Sequence, residues 1–311
     1  MAESKLSTSE QVATIWDLGG LTRRQLGKKV WRGIDEDDLV GRAAELAFNF
    51  ILALFPLLLF LLALFGLFDS RATTLHSDLL TYLSQVLPPA AFQVVSRTLA
   101  EVTANAGGGK ITFGIVLTLW FASGGMVSMF SGLNGVYEVK EGRSWVKVRL
   151  TAIVLTAAIS VLILSALGAV LTGGYVANLL GSYYGLQAAA VIAWRVGGTV
   201  VALVFVTVSF SVIYYYGPDL KEQHWYWITP GSVVGVLVWV AATFAFRGYL
   251  HFFNTYSRTY GSLGAAMILL MWLYITGFAF LVGGEINAQI EHAAGRRGHP
   301  EAKEPGEKAA A

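Results

Sequence analysis

Three polar residues stand at the start of a long apolar segment of this 311-residue chain. Arg42, Glu45 and Asn49 are spaced i, i+3 and i+7, which places their side chains on one face of a helix. Charged groups at membrane depth usually point into the helix bundle, pair with one another and line substrate or ion pathways. Farther along, Pro56 removes a backbone amide hydrogen and displaces the carbonyl of Leu52, which bends the helix or leaves an acceptor free. The segment therefore predicts one wall of a polar cavity.

Further polar residues end two other apolar segments on what we expect to be the same side of the membrane. They are Asn134, Tyr137, Arg143, Glu285 and Asn287. Together with the residues above they predict a polar cavity that faces the cytoplasm. The simpler interpretations stay open: Arg42 and Glu45 would form a surface ion pair that only fixes the helix, and Pro56 would be a tolerated kink. For Glu285 taken alone, a structural role is favoured.

The composition indicates a membrane protein. Hydrophobic residues make up 55% of the chain and charged residues 14%, against about 25% charged in an ordinary soluble domain.

Six segments carry no Asp, Glu, Lys or Arg: residues 46–68, 111–137, 150–194, 196–218, 225–246 and 259–284. A span needs about 20 apolar residues, so 150–194 is too long for one. Gly173, Gly174 and Tyr175, with residues 181–185, predict a turn there, which ends span three at residue 171 and starts span four near 186–194. The predicted fold is all-α, with six transmembrane helices.

The positive charges predict the orientation. Sixteen of the 22 Lys and Arg residues lie before span one, after spans two and four, and in the tail. Loops rich in Lys and Arg stay in the cytoplasm, so both termini are expected there. No removable signal peptide is expected, because no apolar run precedes residue 43.

Residues 1–40 are predicted to form a cytoplasmic amphipathic segment, in which Leu26, Val30 and Ile34 recur every four residues. This helix would lie on anionic lipid headgroups or pack against the cytoplasmic loops. The acidic run at residues 35–38 is expected to cap span one. Residues 41–292 would form the transmembrane domain, and residues 293–311 a disordered tail.

Two amphipathic patterns, at residues 75–86 and 92–102, predict an external helical hairpin between spans one and two. It would serve as a lid, an assembly surface or a patch on the outer leaflet. In span two, Gly124, Ser128 and Gly132 recur every four residues, and such small residues let helices approach closely. Span two is therefore expected to be an interior helix, and its small-residue face could also join copies in an oligomer.

Enzyme functions find little support. The five histidines include no HExxH pair, and the chain has no cysteine, no G-x-S-x-G elbow and no phosphate-binding loop ending in Lys-Ser or Lys-Thr. No catalytic residue, metal or cofactor is predicted. A net charge of +2 gives no reason to expect a nucleic-acid partner.

An ordered set of motifs resembles the YihY/BrkB family of bacterial inner-membrane proteins. The motifs begin at Arg42-Ala-Ala-x-x-Ala47 and Phe55-Pro56, continue through Leu133-Asn134-x-x-Tyr137 with Arg143 and through residues 214–218, and end at residues 260–264, Trp272-Leu-Tyr274 and 284–288. The resemblance implies six helices in the inner membrane with cytoplasmic termini. It also implies that the label ribonuclease BN, once given to such proteins, is a misassignment.

Two functions remain open. The first is a transporter of lipid or another amphiphile, which would receive a headgroup in the polar cavity while membrane lipids surround its apolar body. The second is a membrane scaffold that does not transport, whose external hairpin and residues 247–260 bind an envelope protein.

Overall fold

The computed structural model describes residues 16–68, 80, 81, 96, 108–183, 187–220, 228–252, 255–297 and 305. Within these ranges the regular structure is helical throughout, which confirms the all-α prediction for this part of the chain. A short 3-10 turn, Leu18–Gly20, precedes seven helices: α1 (Arg23–Glu36), α2 (Leu39–Phe68), α3 (Gly108–Val136), α4 (Trp145–Tyr183), α5 (Gln187–Tyr216), α6 (Pro230–Phe252) and α7 (Thr255–Gly295).

Four of these helices contain stretches long and apolar enough to cross a membrane. They are Trp145–Gly168, Ile192–Tyr216, Pro230–Leu250 and Ala266–Gly295, of 21 to 30 residues each, where about 20 suffice. Helices α2 and α3 have 30 and 29 residues, so they have the length of a span. Their assignment as spans one and two stays a prediction. The predicted external hairpin falls almost entirely outside the described residues.

The turn predicted at Gly173, Gly174 and Tyr175 is wrong. Helix α4 continues through all three residues and ends at Tyr183, next to the second predicted turn at residues 181–185. In water, paired glycines weaken a helix, but in lipid a backbone group that leaves the helix finds no water to bond. Glycine is accordingly frequent in transmembrane helices, and the pair does not end this one.

Helix α7 is the centre of the bundle. It packs against α6 and α2 over long stretches and also contacts α1 and α3. Gly231 of α6 lies so close to α7 that a Cβ atom there would overlap the carbonyl oxygen of Gly283, which is the small-residue contact typical of membrane helices. The Tyr214 hydroxyl of α5 donates to the Phe280 carbonyl of α7 at 2.7 Å. Three helices are thus joined on the C-terminal half of α7.

The small-residue face of α3 packs only in part as predicted. Gly132 lies against the Leu281 side chain of α7 and also faces the Leu46 side chain of α2. Gly124, by contrast, has open space where a side chain would begin. The face therefore joins α3 to two neighbours, and its use between copies of the chain stays a prediction.

Helix α1 packs against the bundle through its apolar stripe. Val30 is buried, and Leu26 and Ile34 pack on the same core cluster, whereas Trp31 is 79% exposed on the opposite side. Lipid headgroups and other parts of the protein were the two surfaces predicted to contact this helix. Its apolar stripe contacts protein. At the same end of the molecule, the Arg297 guanidinium donates to the Gly20 carbonyl at 2.6 Å. We call this the terminal end of the bundle: the end where α1, residues 137–144, residues 217–220 and the last turns of α7 meet.

Candidate functional site

Glu285 is buried at the terminal end with one oxygen left unsatisfied. Its side chain is fully buried. Oε1 accepts a hydrogen bond from the Gln289 amide at 2.9 Å, while Oε2 has no donor among the described residues. A buried acceptor without a partner destabilises the fold by about 1–3 kcal/mol, and more when it is charged. Folding alone therefore does not explain this carboxylate.

Helix α1 lies directly over the Glu285 carboxylate at Gly33. A Cβ atom at Gly33 would overlap Oε1 and the carboxyl carbon of Glu285, so any larger residue would push α1 away from α7. Gly33 is itself buried. The close approach of the two helices keeps water and side chains of α1 away from the acid.

Asp37, in the turn between α1 and α2, completes a pair of carboxyl groups with Glu285: its backbone amide donates at 2.9 Å to the carbonyl of Gly33, which lies over Glu285. Burial raises the pKa of Asp37 to about 6, and the nearby charge of Glu138 adds to the rise, while the interaction with the Glu285 side chain and the charge of Arg42 oppose it. Arg42 lies beside the pair and donates from Nε to the Asp37 carbonyl at 2.8 Å.

The three polar residues of α2 do not act together. The guanidinium of Arg42 turns toward Asp37 and lies against Gly135 of α3, so no ion pair between Arg42 and Glu45 is found in the described part of the chain. The Glu45 side chain is exposed, and the Asn49 amide donates to the Glu45 carbonyl at 3.0 Å. Pro56 is half-buried, and α2 runs through it to Phe68.

Asn134 and Arg143 belong to a second network, which ties α3 to the end of α5. The Asn134 amide donates to Glu141 at 2.9 Å, and its carbonyl accepts from the Asp219 backbone amide at 2.7 Å. Arg143 forms an ion pair with Glu141 at 2.7 Å and donates to the carbonyls of Tyr216 and Gly217 at 3.1 and 2.7 Å. Burial alone would raise the pKa of Glu141, but the hydrogen bonds from Arg143 and Asn134 lower it below its usual value. Every polar group of this network has a partner that holds two elements together.

Asn287 caps α6. Its carbonyl oxygen accepts from the Gly231 backbone amide at 2.9 Å, and its amide donates to the Thr229 hydroxyl at 3.0 Å. Thr229 and Ser232 exchange further hydrogen bonds across the same helix start. Asn287 thus satisfies one of the amides that an α-helix leaves free at its N-terminus.

Tyr137 is buried near Glu285. Its ring meets His292 of α7 edge-on, with centroids 6.4 Å apart. It therefore belongs to the packing between the end of α3 and α7.

The nine candidate residues fall into three groups. The structure brings Arg42, Tyr137 and Glu285 into one neighbourhood. Nearby structural networks contain Asn134, Arg143 and Asn287, and the remaining three candidates, Glu45, Asn49 and Pro56, lie along α2.

Sequence reasoning missed Asp37, which was expected to cap span one. Its neighbour Asp38 does cap α2, accepting from the Gly41 amide at 3.1 Å, while Asp37 turns toward α7. One signal in the sequence could have indicated this. Gly33 lies on the same face of α1 as Val30, and a glycine there indicates that another part of the fold approaches the α1 backbone closely.

Comparison with known proteins identifies the family. The family model described as "Virulence factor BrkB" matches residues 30–307, which is most of the chain and includes all nine candidate residues. The chain belongs to the BrkB family. The resemblance found in the sequence motifs is confirmed.

Several bacterial proteins are similar to this BrkB-family protein over most of its length. The ribonuclease-like protein YfkH of Bacillus subtilis is 35% identical over 254 residues, which cover 80% of this chain and 89% of YfkH. UPF0761 membrane proteins of Laribacter hongkongensis and Rhodospirillum centenum are 25% and 29% identical over 275 and 263 residues. The match covers 85% and 80% of this chain but 60% and 53% of theirs. No solved structure matches.

The name of YfkH does not establish a nuclease here. Among the described residues, no group of three or more His, Cys, Asp or Glu side chains could hold a metal ion. The family assignment supports a membrane protein, and no enzyme activity follows from it.

Proposed function

We propose that this protein is a transporter of the bacterial cytoplasmic membrane that moves lipid or another amphiphile through a polar site open to the cytoplasm. The observation that carries the proposal is Glu285, a fully buried acid with an oxygen that no described residue satisfies. Ionisable groups inside membrane proteins are expensive, and those that the fold does not need mark the paths of substrates or ions.

An amphiphile fits the surface of α2 better than a small polar solute does. Phe48 and Leu52 are 61% and 59% exposed, and the exposed Glu45 lies one turn from Phe48. A polar group thus stands about one turn from the nearer of two apolar side chains on the exposed surface of α2. This arrangement suits a molecule with a headgroup and an acyl chain.

Six spans with both termini in the cytoplasm belong to the same proposal. Segments that carry most of the Lys and Arg residues meet at the terminal end, where Gly20 contacts Arg297 and Arg143 contacts Gly217. The clustering supports a cytoplasmic location for this end, because positive residues concentrate there.

Reconstitution tests the function. The purified chain would be placed in liposomes that contain a panel of fluorescent lipids, with fluorescent solutes trapped in parallel vesicles. We expect movement of at least one lipid between leaflets, faster than in protein-free vesicles. If folded protein moves none of the lipids, the transport proposal is wrong.

A membrane scaffold is the second candidate, and a different observation favours it. Asn134, Arg143 and Asn287 are all used to fasten loops and helix ends together, which produces a firmly closed terminal end. A scaffold would bind an envelope protein through its external hairpin and residues 247–260. Substitutions on that outer surface would then abolish function, while Glu285→Gln would leave it intact.

A further inference from the structure

We propose that Asp37 and Glu285 form a proton-binding site in which the two carboxyl groups hold one exchangeable proton between them. The inference deepens the proposed transport function, on which it rests for its role, by naming a proton as the coupling ion. The site itself can be tested without any transported substrate.

The unsatisfied oxygen of Glu285 is the first observation that indicates a bound proton. Oε2 lacks a donor among the described residues, and Gln289 serves Oε1 only. Asp37 lies next to this carboxyl group, because its backbone amide donates to the carbonyl of Gly33 at 2.9 Å and Gly33 lies over Glu285. When both groups are ionised, neither has a hydrogen to donate, whereas a proton on Glu285 is donated to the Asp37 carboxylate, a contact that opposes the rise in the pKa of Asp37. Two carboxylates in contact in a buried site are not both ionised at little cost, so one retains a proton.

The charges around the pair favour a bound proton. Glu36 of α1 and Glu138, which follows α3, add negative charge near Asp37, and Glu138 also acts on Glu285. Tyr137, whose ring is in edge-on contact with His292, lies near Glu285. The positive charge of Arg42, which donates from Nε to the Asp37 carbonyl, opposes the binding of a proton at Asp37. The raised pKa of Asp37, to about 6, agrees with this balance.

Access to the pair leads through Asp37. Its side chain is half-buried at the terminal end, whereas Glu285 is closed off beneath Gly33 of α1. A proton taken from water or buffer would reach the Asp37 carboxylate first and then be shared with Glu285 Oε2. Its release returns the proton to water and leaves two negative charges between α1 and α7, which repel each other and weaken the contact of the two helices.

The surroundings fit a proton better than a metal cation. Oxygen-binding cations need several ligands; calcium, for example, takes six to eight. Here Gly33 lies so close to Oε1 and the carboxyl carbon of Glu285 that a Cβ atom would overlap them, and no group of three or more His, Cys, Asp or Glu side chains among the described residues could hold a metal ion.

Infrared titration of the full-length protein in lipid vesicles tests the site. Wild type should show a carbonyl band of a protonated carboxylic acid that weakens as the pH rises through about 6, where Asp37 titrates, and disappears only at a higher pH, when the shared proton leaves. Glu285→Gln should lose the part of the band that persists at higher pH, Asp37→Asn should lose the change near pH 6, and Glu45→Gln, at an exposed acid of α2, should keep both. Asp37 lies in a turn, so its variant remains informative if Glu285→Gln does not fold.

Three results would overturn the proposal. These are the absence of a titrating band in wild type, persistence of the change near pH 6 in Asp37→Asn, and removal of the band at constant pH by sodium chloride but not by choline chloride, which would assign the pair to a metal cation. Failure of the lipid assay with an intact band would remove the transport function and leave the proton site.

Discussion

The polar side chains buried at the terminal end are of two kinds. Asn134, Arg143 and Asn287 have their hydrogen-bonding groups paired with backbone or side-chain partners on other elements. Glu285 is buried more deeply than any of them, yet no described residue donates to its second oxygen. Substitutions should therefore act in opposite directions: loss of a paired group lowers stability, whereas loss of the charge on Glu285 removes a penalty.

Arg143→Ala should strongly destabilise the protein. The substitution removes hydrogen bonds to the carbonyls of Tyr216 and Gly217 and leaves Glu141 without its ion-pair partner. Because Glu141 is exposed, most of the loss comes from the hydrogen bonds to the two carbonyls, and stability should fall by roughly 1–3 kcal/mol. Thermal unfolding in detergent, followed by tryptophan fluorescence, should show a clear drop in the melting temperature. Lys147→Ala, at an exposed position of α4, is the control, and equal melting temperatures of the two variants would contradict the role of Arg143.

The contribution of Asp37 to the stability of the protein should decrease as the pH rises from about 4 to above 6. The folded state raises the pKa of Asp37 from 3.8 to about 6, so the folded chain binds this proton more tightly than the unfolded chain does. The resulting stabilisation is complete below the unfolded value and is lost as the pH passes the folded value. Asp37→Asn should flatten the melting temperature across this window relative to wild type. An unchanged pH profile would show that Asp37 does not titrate there.

At the scale of elements, the contact between α6 and α7 should depend on the absence of a side chain at Gly231. A methyl group there would overlap the Gly283 carbonyl, a backbone atom that cannot move aside without separating the helices. Gly231→Ala should lower stability by about 1–3 kcal/mol, as overpacked cores do.

Gly248→Ala on the same helix is the matched control, because nothing lies within 4 Å of a Cβ at Gly248. Its melting temperature should equal that of wild type or exceed it, since alanine favours helix over glycine by up to about 1 kcal/mol. Comparable losses in both variants would mean that helix propensity, and not contact, governs this region.

Uncharged runs in the sequence predicted most of the helical elements, because a span must be apolar. They could not predict where α4 ends: paired glycines indicate a turn in water, but a membrane helix has no alternative partner for its backbone. They also left the placement of α1 open, since a stripe such as Leu26, Val30 and Ile34 suits lipid and protein surfaces equally. The position of α1 depends on how closely Gly33 fits against Glu285, and a hydropathy pattern contains no information on such a fit.

The candidate site was predictable only in its location. Counting positive residues placed Arg42, Tyr137 and Glu285 at one end, and the structure brings them into one neighbourhood. The partner of Glu285 was not predictable, because Asp37 and Asp38 are identical in type and adjacent in the chain. One turns toward α7 and the other caps α2, a difference that tertiary packing alone decides.

For the whole molecule, the orientation predicts which positions an impermeant reagent can reach. The natural sequence has no cysteine, so single cysteines can be introduced without further changes. In spheroplasts, a charged maleimide should label Arg258→Cys directly but should label Arg23→Cys only after the membrane is permeabilised. Labelling of Arg23→Cys in sealed spheroplasts would contradict cytoplasmic termini.

The most direct test of the central claim, that Glu285 serves a function that folding does not require, is the melting temperature of Glu285→Gln at pH 8. Glutamine keeps the shape of the side chain, removes its charge and can donate a hydrogen bond to Asp37. We predict a melting temperature equal to or above that of wild type, while the control Asn287→Ala, which uncaps α6, melts several degrees lower. A decrease in Glu285→Gln as large as that in Asn287→Ala would show that Glu285 is structural and would contradict the account.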